Sequence, residues 1–262
     1  MRRRLLIAIC GLCMLVSAAK AGEFDVEVGK QEALPVFQVE IVRQMLPHTQ
    51  ETKRVLIYHT HTYEAYEQTA GAAYKQLEPW RTTDAKYNVT AVGAALKANL
   101  EALGIEVTHD QSAFEPPNMD SAYERSLSML TERQAAGESY DLYIDLHRDA
   151  LASTSTIATT VNINGTEVAR FMVLIGKGTT GGYADKPNWE ANLVLAQSIT
   201  DQLNRQHENL ARNIKIKTGR FNQHIADCCV LIECGINTNT LDEVLAGIPY
   251  LAEAIYQSLV AQ

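Results

Sequence analysis

The fold turns on the stretch "RVLIYHTHTYEAYE", residues 54–67. Val55 to Tyr58 is an unbroken apolar or aromatic run, the pattern of a strand buried on both faces. It runs straight into His59 and His61, followed by Tyr63, Glu64 and Tyr66. Two later runs have the same form. "LYIDLHRD" leads to His147, and "VLIECG" carries Glu233 directly after Val230, Leu231 and Ile232. Helix-spaced segments separate them. Asn88 to Leu103 places Val89, Val92, Leu96, Leu100 and Leu103 on one face and stops at Gly104. Residues 119–136, 188–210 and 240–260 read as further helices. Strands alternating with helices predict an α/β domain, a mixed and mostly parallel sheet flanked by helices. "TIATTVNINGTEVARFMVLIGKG" holds Asn164-Gly165 between two strand-like runs, which predicts a β-hairpin insertion around residues 156–176.

The chain's beginning has a different character. Arg2, Arg3 and Arg4 precede an apolar run from Leu5 to Val16, and Ala19-Lys20-Ala21 has the small-x-small form of a cleavage site. Residues 1–21 therefore read as a secretory signal peptide cut after Ala21, and the protein as exported to the periplasm or the outer face of the membrane. An uncleaved anchor is the plainer alternative, although a dozen apolar residues are short for a membrane span. Residues 22–53 read as an N-terminal arm and residues 54–262 as one catalytic domain. Without its first 21 residues the chain has 19 basic and 31 acidic residues, a net charge of −12. That argues against nucleic acid as a partner, which selects for a basic patch. The three cysteines left, Cys228, Cys229 and Cys234, are clustered and odd in number, so they form no disulfide framework. One bridge to Cys234 or free thiols are the open choices.

The polar ends of the three buried strands carry the chemistry. In open α/β sheets ligands sit at the carboxyl ends of the strands. If these strands are parallel neighbours, His59 or His61, His147 and Glu233 converge there. Two imidazoles and a carboxylate form a zinc-ligand set with one position left for water, and a second carboxylate outside it can act as general base. On an extended chain His59 and His61 point to the same side, about 6–7 Å apart. Both can reach one ion, or one can support the other; His61, further along the loop, is the preferred ligand. The acidic ligand is Glu64 or Asp84. Each residue also has a plain structural reading. His59 can cap a strand end, His147 can join a salt-bridge cluster with Asp145 and Arg148, Glu233 can form a structural ion pair, and Asp84 can be an ordinary loop residue. Other chemistries find less support. The chain has no Gly-x-Gly-x-x-Gly, Walker or Gly-x-Ser-x-Gly motif, and "GKGTTGG" at 176–182 has its lysine before the glycines.

The segments "VLIYHTHTYEAY", "YNVTAVGAALKANLEALGIEVTHD", "YERS", "YIDLHRDA", "NWEANLVLA", "GRFNQ" and "LIECGINTNTLDEV" together resemble the stage II sporulation protein P family, from about residue 54 to residue 260. The resemblance implies a zinc-dependent N-acetylmuramoyl-L-alanine amidase fold. It places the metal on His61, Asp84 and His147, with Asp84 four residues before the helix-opening Asn88, and the catalytic glutamate at Glu233. It further implies activity on peptide crosslinks and a lytic transglycosylase partner at the peptidoglycan. Within that mechanism Arg148 or Arg220 holds a substrate carboxylate or the developing oxyanion, since guanidinium offers a fixed fork of donors. Tyr63, Tyr66, Tyr74 and Trp80 either wall a substrate groove or anchor the 61–87 loop. The rival functions are an endopeptidase acting only on crosslinks and a non-catalytic peptidoglycan-binding envelope protein.

Overall fold

The computed structural model describes residues 52–152 and 154–260. The signal peptide read at 1–21 and nearly all of the arm at 22–53 lie outside the described residues. In chain order the elements are β1 (Arg54–Tyr58), α1 (Val89–Ala102), β2 (Glu106–His109), α2 (Ala122–Ala135), β3 (Leu142–Asp149), β4 (Thr160–Ile163), β5 (Thr166–Ala169), β6 (Phe171–Gly176), α3 (Trp189–Gln206), β7 (Lys215–Lys217), β8 (Cys229–Ile236) and α4 (Leu241–Val260). Six strands form one sheet in the order β2-β1-β3-β8-β6-β7. β2, β1, β3 and β8 are mutually parallel, whereas β6 runs antiparallel to β8 and β7 parallel to β6. The sheet is thus mixed and mostly parallel, flanked by helices.

Strand alternation divides the side chains between two faces. Val55, Ile57, Leu142, Ile144, Leu146, Val230 and Ile232 join the larger core, with Leu96 of α1, Ile199 of α3 and Ile248 of α4. The intervening residues Leu56, Tyr58, Tyr143 and Cys229 pack on the other face beneath Leu130 of α2. This division puts Asp145, His147 and Glu233 on the α2 side. Asn88 starts α1 as its N-cap, its side chain accepting from the Thr90 N–H.

The hairpin is shorter than its sequence implies. β4 and β5 form a separate two-stranded antiparallel unit whose turn is Asn164-Gly165, both with positive φ. The run after Arg170 leaves the hairpin and enters the main sheet as β6. Phe171 to Gly176 is buried at every position, as a strand covered on both faces requires, whereas Thr166 and Glu167 of β5 are exposed. The three-residue β7 is exposed throughout and carries no apolar pattern that would reveal it in the sequence.

At the end of β1 the His59 ring is fully buried under α1. Its Nδ1 is 2.9 Å from the Leu146 carbonyl, and its Nε2 is 2.8 Å from His109 Nε2. A carbonyl only accepts, so His59 Nδ1 carries the proton and His109 donates to His59 Nε2. Burial, with the His109 ring adding, holds the His59 pKa at about 3. Burial likewise holds His109 at about 4. Gly93 of α1 lies against this pair: a Cβ there would be 2.5 Å from His109 Nε2 and 2.7 Å from His59 Nε2.

Two outcomes follow for stability. Gly93→Ala improves helix propensity by about 1 kcal/mol but overpacks the two rings, at about 1–3 kcal/mol; urea unfolding should show net destabilisation, and a more stable variant would contradict the packing. In acid, the unfolded chain takes up protons on both histidines below their ordinary value of 6.5, whereas the folded chain refuses them until about 4 and about 3. Their contribution is therefore intact above pH 6.5 and lost as the pH falls from there towards 4. Unfolding free energy measured from pH 7 to pH 4.5 should fall, and fall less in His109→Gln.

Candidate active site

Immediately after His59 the chain turns. The Thr60 N–H donates to Asp145 Oδ1 at 2.8 Å, and the Thr60 hydroxyl donates to Asp145 Oδ2 at 2.7 Å. Extended-strand geometry predicts His59 and His61 on one side. The turn sends them to opposite sides instead, leaving His59 in the larger core and carrying His61 to the α2 face. There the His61 ring sits edge-on to His147, with centroids 5.3 Å apart, and edge-on to Tyr123 of α2 at 5.5 Å.

Glu64 completes the group. Its Oε2 is 3.3 Å from His147 Nδ1 and accepts the Arg148 backbone N–H at 3.1 Å. On the far side of the same ring, His147 Nε2 approaches Asp145 Oδ1 at 2.8 Å, off the axis of a good hydrogen bond. Burial alone would neutralise His147, but Asp145 and Glu64 outweigh it and raise its pKa well above the ordinary histidine value. Glu64 shows the counterpart: burial opposes its charge, yet His147 and Arg148 pull it down to about 2.

Glu233 lies on β8 in register with His147 on β3. It is 8% exposed, and its Oε2 has no hydrogen-bond partner among the described residues. Burial pushes its pKa up to about 8; His147 opposes the rise, and Glu64 and Asp149 add to it. The site therefore holds two carboxylates in different states, Glu64 charged and Glu233 poised near neutrality, a separation characteristic of acid–base chemistry. Among the described residues no three His, Cys, Asp or Glu side chains form a ready-made metal cage. Glu64 and His147 pair with each other instead.

The remaining sequence candidates go elsewhere. Asp84 is exposed, and its Oδ1 accepts the Lys86 N–H at 3.1 Å in a local turn. The acidic residue brought to the histidines is Glu64, and Asp84 is not in contact with them. Asn88 caps α1, and Asp84, four residues before it, is exposed. Arg148 is buried, with Nε on the Ala65 carbonyl at 2.9 Å and Nη2 on the Trp80 carbonyl at 3.1 Å. Those donors hold the 64–80 loop and so position Glu64. Arg220 stacks over Tyr183 at 4.2 Å and lines a cleft of about 400 Å³ with Tyr123, Glu124 and Phe221. Tyr123 joins that cleft to His61.

Of the loop aromatics, Tyr66 donates to the Cys234 carbonyl at 3.0 Å, Tyr74 to the Tyr66 carbonyl at 2.6 Å, and the Trp80 indole to Glu67 at 2.6 Å. These three are anchors. The cysteines at 228, 229 and 234 are free thiols. Glu115 gave no sign in the sequence. It stands in "FEPPN" between β2 and α2, yet its carboxylate is buried against Arg81 and 3.7 Å from His61 Nδ1. Tyr123 was equally silent, since a tyrosine at the start of a helix carries no functional signature. Asp145 could be found: two residues before His147 on a strand, it must share that residue's face. No helix among the described residues is long and apolar enough to cross a membrane.

The chain is 27% identical over 207 residues to stage II sporulation protein P of Bacillus subtilis (strain 168), matching 75% of this chain and 48% of the relative. It thus spans about half the length of that curated relative. Among solved structures it is similar to the N-acetylmuramoyl-L-alanine amidase from Clostridium difficile 630 (14% identity, TM-score 0.48, covering 81% of this chain and 97% of the other). It is also similar to the CwlD amidase from Clostridioides difficile in complex with the GerS lipoprotein (15% identity, TM-score 0.48, 80% and 98%). The model of the family Stage II sporulation protein P (SpoIIP) matches residues 18–256, nearly the whole chain, and the protein belongs to that family.

Proposed function

We propose that the chain is a zinc-dependent peptidoglycan hydrolase that cleaves the amide between N-acetylmuramic acid and L-alanine. One observation carries the reading: His61, Glu64 and His147 gather beside the buried, unpartnered carboxylate of Glu233. The donor set suits zinc. Two ligand atoms on one tetrahedral zinc, each about 2.0–2.1 Å from it, stand about 3.3 Å apart. Glu64 Oε2 and His147 Nδ1 are separated by 3.3 Å. The Asp145 contact on the other nitrogen of His147 supplies the carboxylate–histidine backing usual for metal ligands. His61, Glu64 and His147 would hold the ion.

When bound, zinc would supply Lewis acidity for a water nucleophile and for the lactyl carbonyl. The chain's own residues do the rest. Glu233 takes the proton from the attacking water as oxygen bonds to the carbonyl carbon. It returns that proton to the alanine nitrogen as the C–N bond breaks, leaving a lactyl carboxylate and a free amine. Asp145 and Thr60 keep His147 oriented, and Arg148 keeps the loop that carries Glu64 in place. The cleft from Tyr123 to Arg220 offers the substrate peptide an aromatic wall and a guanidinium for a carboxylate. Peptidoglycan lies outside the cytoplasm, which accords with the export signal read at residues 1–21. An endopeptidase cutting only crosslinks would use the same residues on a different amide. A pure binder would have no use for a buried Glu233 without a partner.

The test is digestion of crosslinked peptidoglycan by the zinc-loaded protein, with soluble products identified by mass spectrometry. Stem peptides with free L-alanine amino ends are expected. Glu233→Gln should lower the rate by at least about 10²-fold and still bind zinc. Disappearance of crosslinked dimers without free L-alanine ends would establish the endopeptidase. Full activity in Glu233→Gln would remove that residue from the mechanism. For the ligand set, zinc affinity measured by chelator competition should collapse in Glu64→Ala and stay within about threefold of wild type in Asp84→Ala, the loss of a direct ligand exceeding the ~10–100-fold cost of an outer partner.

A further inference from the structure

We propose that Glu115 is a positioning residue for His61, setting which of its ring nitrogens is free to bind a cation in the site. The proposal rests on the reading of His61 as a metal ligand. His61 Nδ1 is buried and has no hydrogen-bond partner among the described residues. Glu115 faces it, with Oε1 3.7 Å away, beyond hydrogen-bond length. The Glu115 side chain is only 4% exposed, so it cannot turn to water. It is held from both ends: Oε1 accepts the Tyr63 N–H at 3.3 Å, and Oε2 pairs with Arg81. Each carboxylate oxygen has two lone pairs, so Oε1 keeps one for His61.

The backbone of Glu115 is fixed as well. Arg125 of α2 donates through Nη2 to the Glu115 carbonyl at 3.0 Å and through Nε to the Phe114 carbonyl at 2.5 Å. This anchorage does not depend on the sheet. Closing the 3.7 Å gap to hydrogen-bond length takes less than about 1 Å of ring movement. With the Nδ1 proton directed at Glu115, the lone pair stays on Nε2. Asp145 backs His147 in the same way from β3. Each imidazole of the site then has its own carboxylate, supplied by a different part of the chain, which is the arrangement that fixes the tautomer and orientation of metal-ligating histidines.

The experiment compares the full chain with Glu115→Gln, Glu115→Asp, His61→Ala and the double variant His61→Ala/Glu115→Gln. Zinc affinity is read by chelator competition. The His61 tautomer is read from ring ¹⁵N chemical shifts in the zinc-free protein. Glu115→Gln is expected to weaken zinc binding about 10–100-fold, with partial recovery in Glu115→Asp and no added loss in the His61→Ala background. The Nδ1–H tautomer should dominate in the wild type and give way in Glu115→Gln. Unchanged affinity overturns the proposal, and so does an equal loss without His61. A loss as complete as that of His61→Ala also overturns it, by making Glu115 a ligand in its own right. If the wild type binds no zinc, the metal reading fails separately, and the tautomer comparison still decides the role of Glu115. If Glu115→Gln does not fold, Glu115→Ala, which also removes the carboxylate, decides it, with an unchanged tautomer counting against.

Discussion

The grip of Asp145 on Thr60 is the constraint on which the site depends. A strand that continued past Tyr58 would carry His61 into the same core as His59. Asp145 prevents this by taking the Thr60 N–H and hydroxyl on its two oxygens, at 2.8 and 2.7 Å. The oxygen that holds the N–H also lies 2.8 Å from His147 Nε2. One buried carboxylate thus ends β1, turns the chain and orients the neighbouring imidazole. A buried carboxylate is tolerated only when it is hydrogen-bonded or paired with charge; Thr60 supplies two hydrogen bonds and the His147 ring a close charge contact.

The electrostatics follow from that geometry. His147 sits between Asp145 and Glu64, so it favours the charged form despite burial. Glu64 is held at about 2 by the same pairing. Glu233, in register with His147 but without a hydrogen bond to its Oε2, rises to about 8. Two glutamates close to one histidine therefore differ widely in proton affinity. The difference lies in their partners: Glu64 accepts from the Arg148 backbone and faces the His147 ring, and Glu233 has neither contact.

The long loop after β1 is held as firmly as a regular element. Arg148 donates into the Ala65 and Trp80 carbonyls, Tyr66 reaches Cys234, and Tyr74 closes onto Tyr66. These bonds replace the ladder contacts that a loop lacks, so that Glu64 is presented from a fixed support. Preorganisation of this kind matters because a catalytic group displaced by about 1 Å loses much of its effect.

Much of this was legible in the sequence. Continuous apolar runs mark strands covered on both faces, and period-3.6 spacing marks α1, so the α/β class follows from local pattern, and with it the expectation that, on parallel neighbouring strands, His59 or His61 meets His147 and Glu233. Local pattern also carries the resemblance that names the family. Tertiary structure decided the rest. Whether His59 or His61 enters the site depends on a turn pinned by a residue 85 positions away. Glu64 rather than Asp84 meets the histidines because Arg148 folds the loop inward, while Asp84 bonds to its own neighbour Lys86. Glu115 reaches His61 from a proline-flanked segment that carries no periodicity. The sequence by itself determines periodic elements, because they record a repeating choice between core and solvent. Side chains delivered by turns and loops record none, and their positions exist only once the distant partners that hold them are in place.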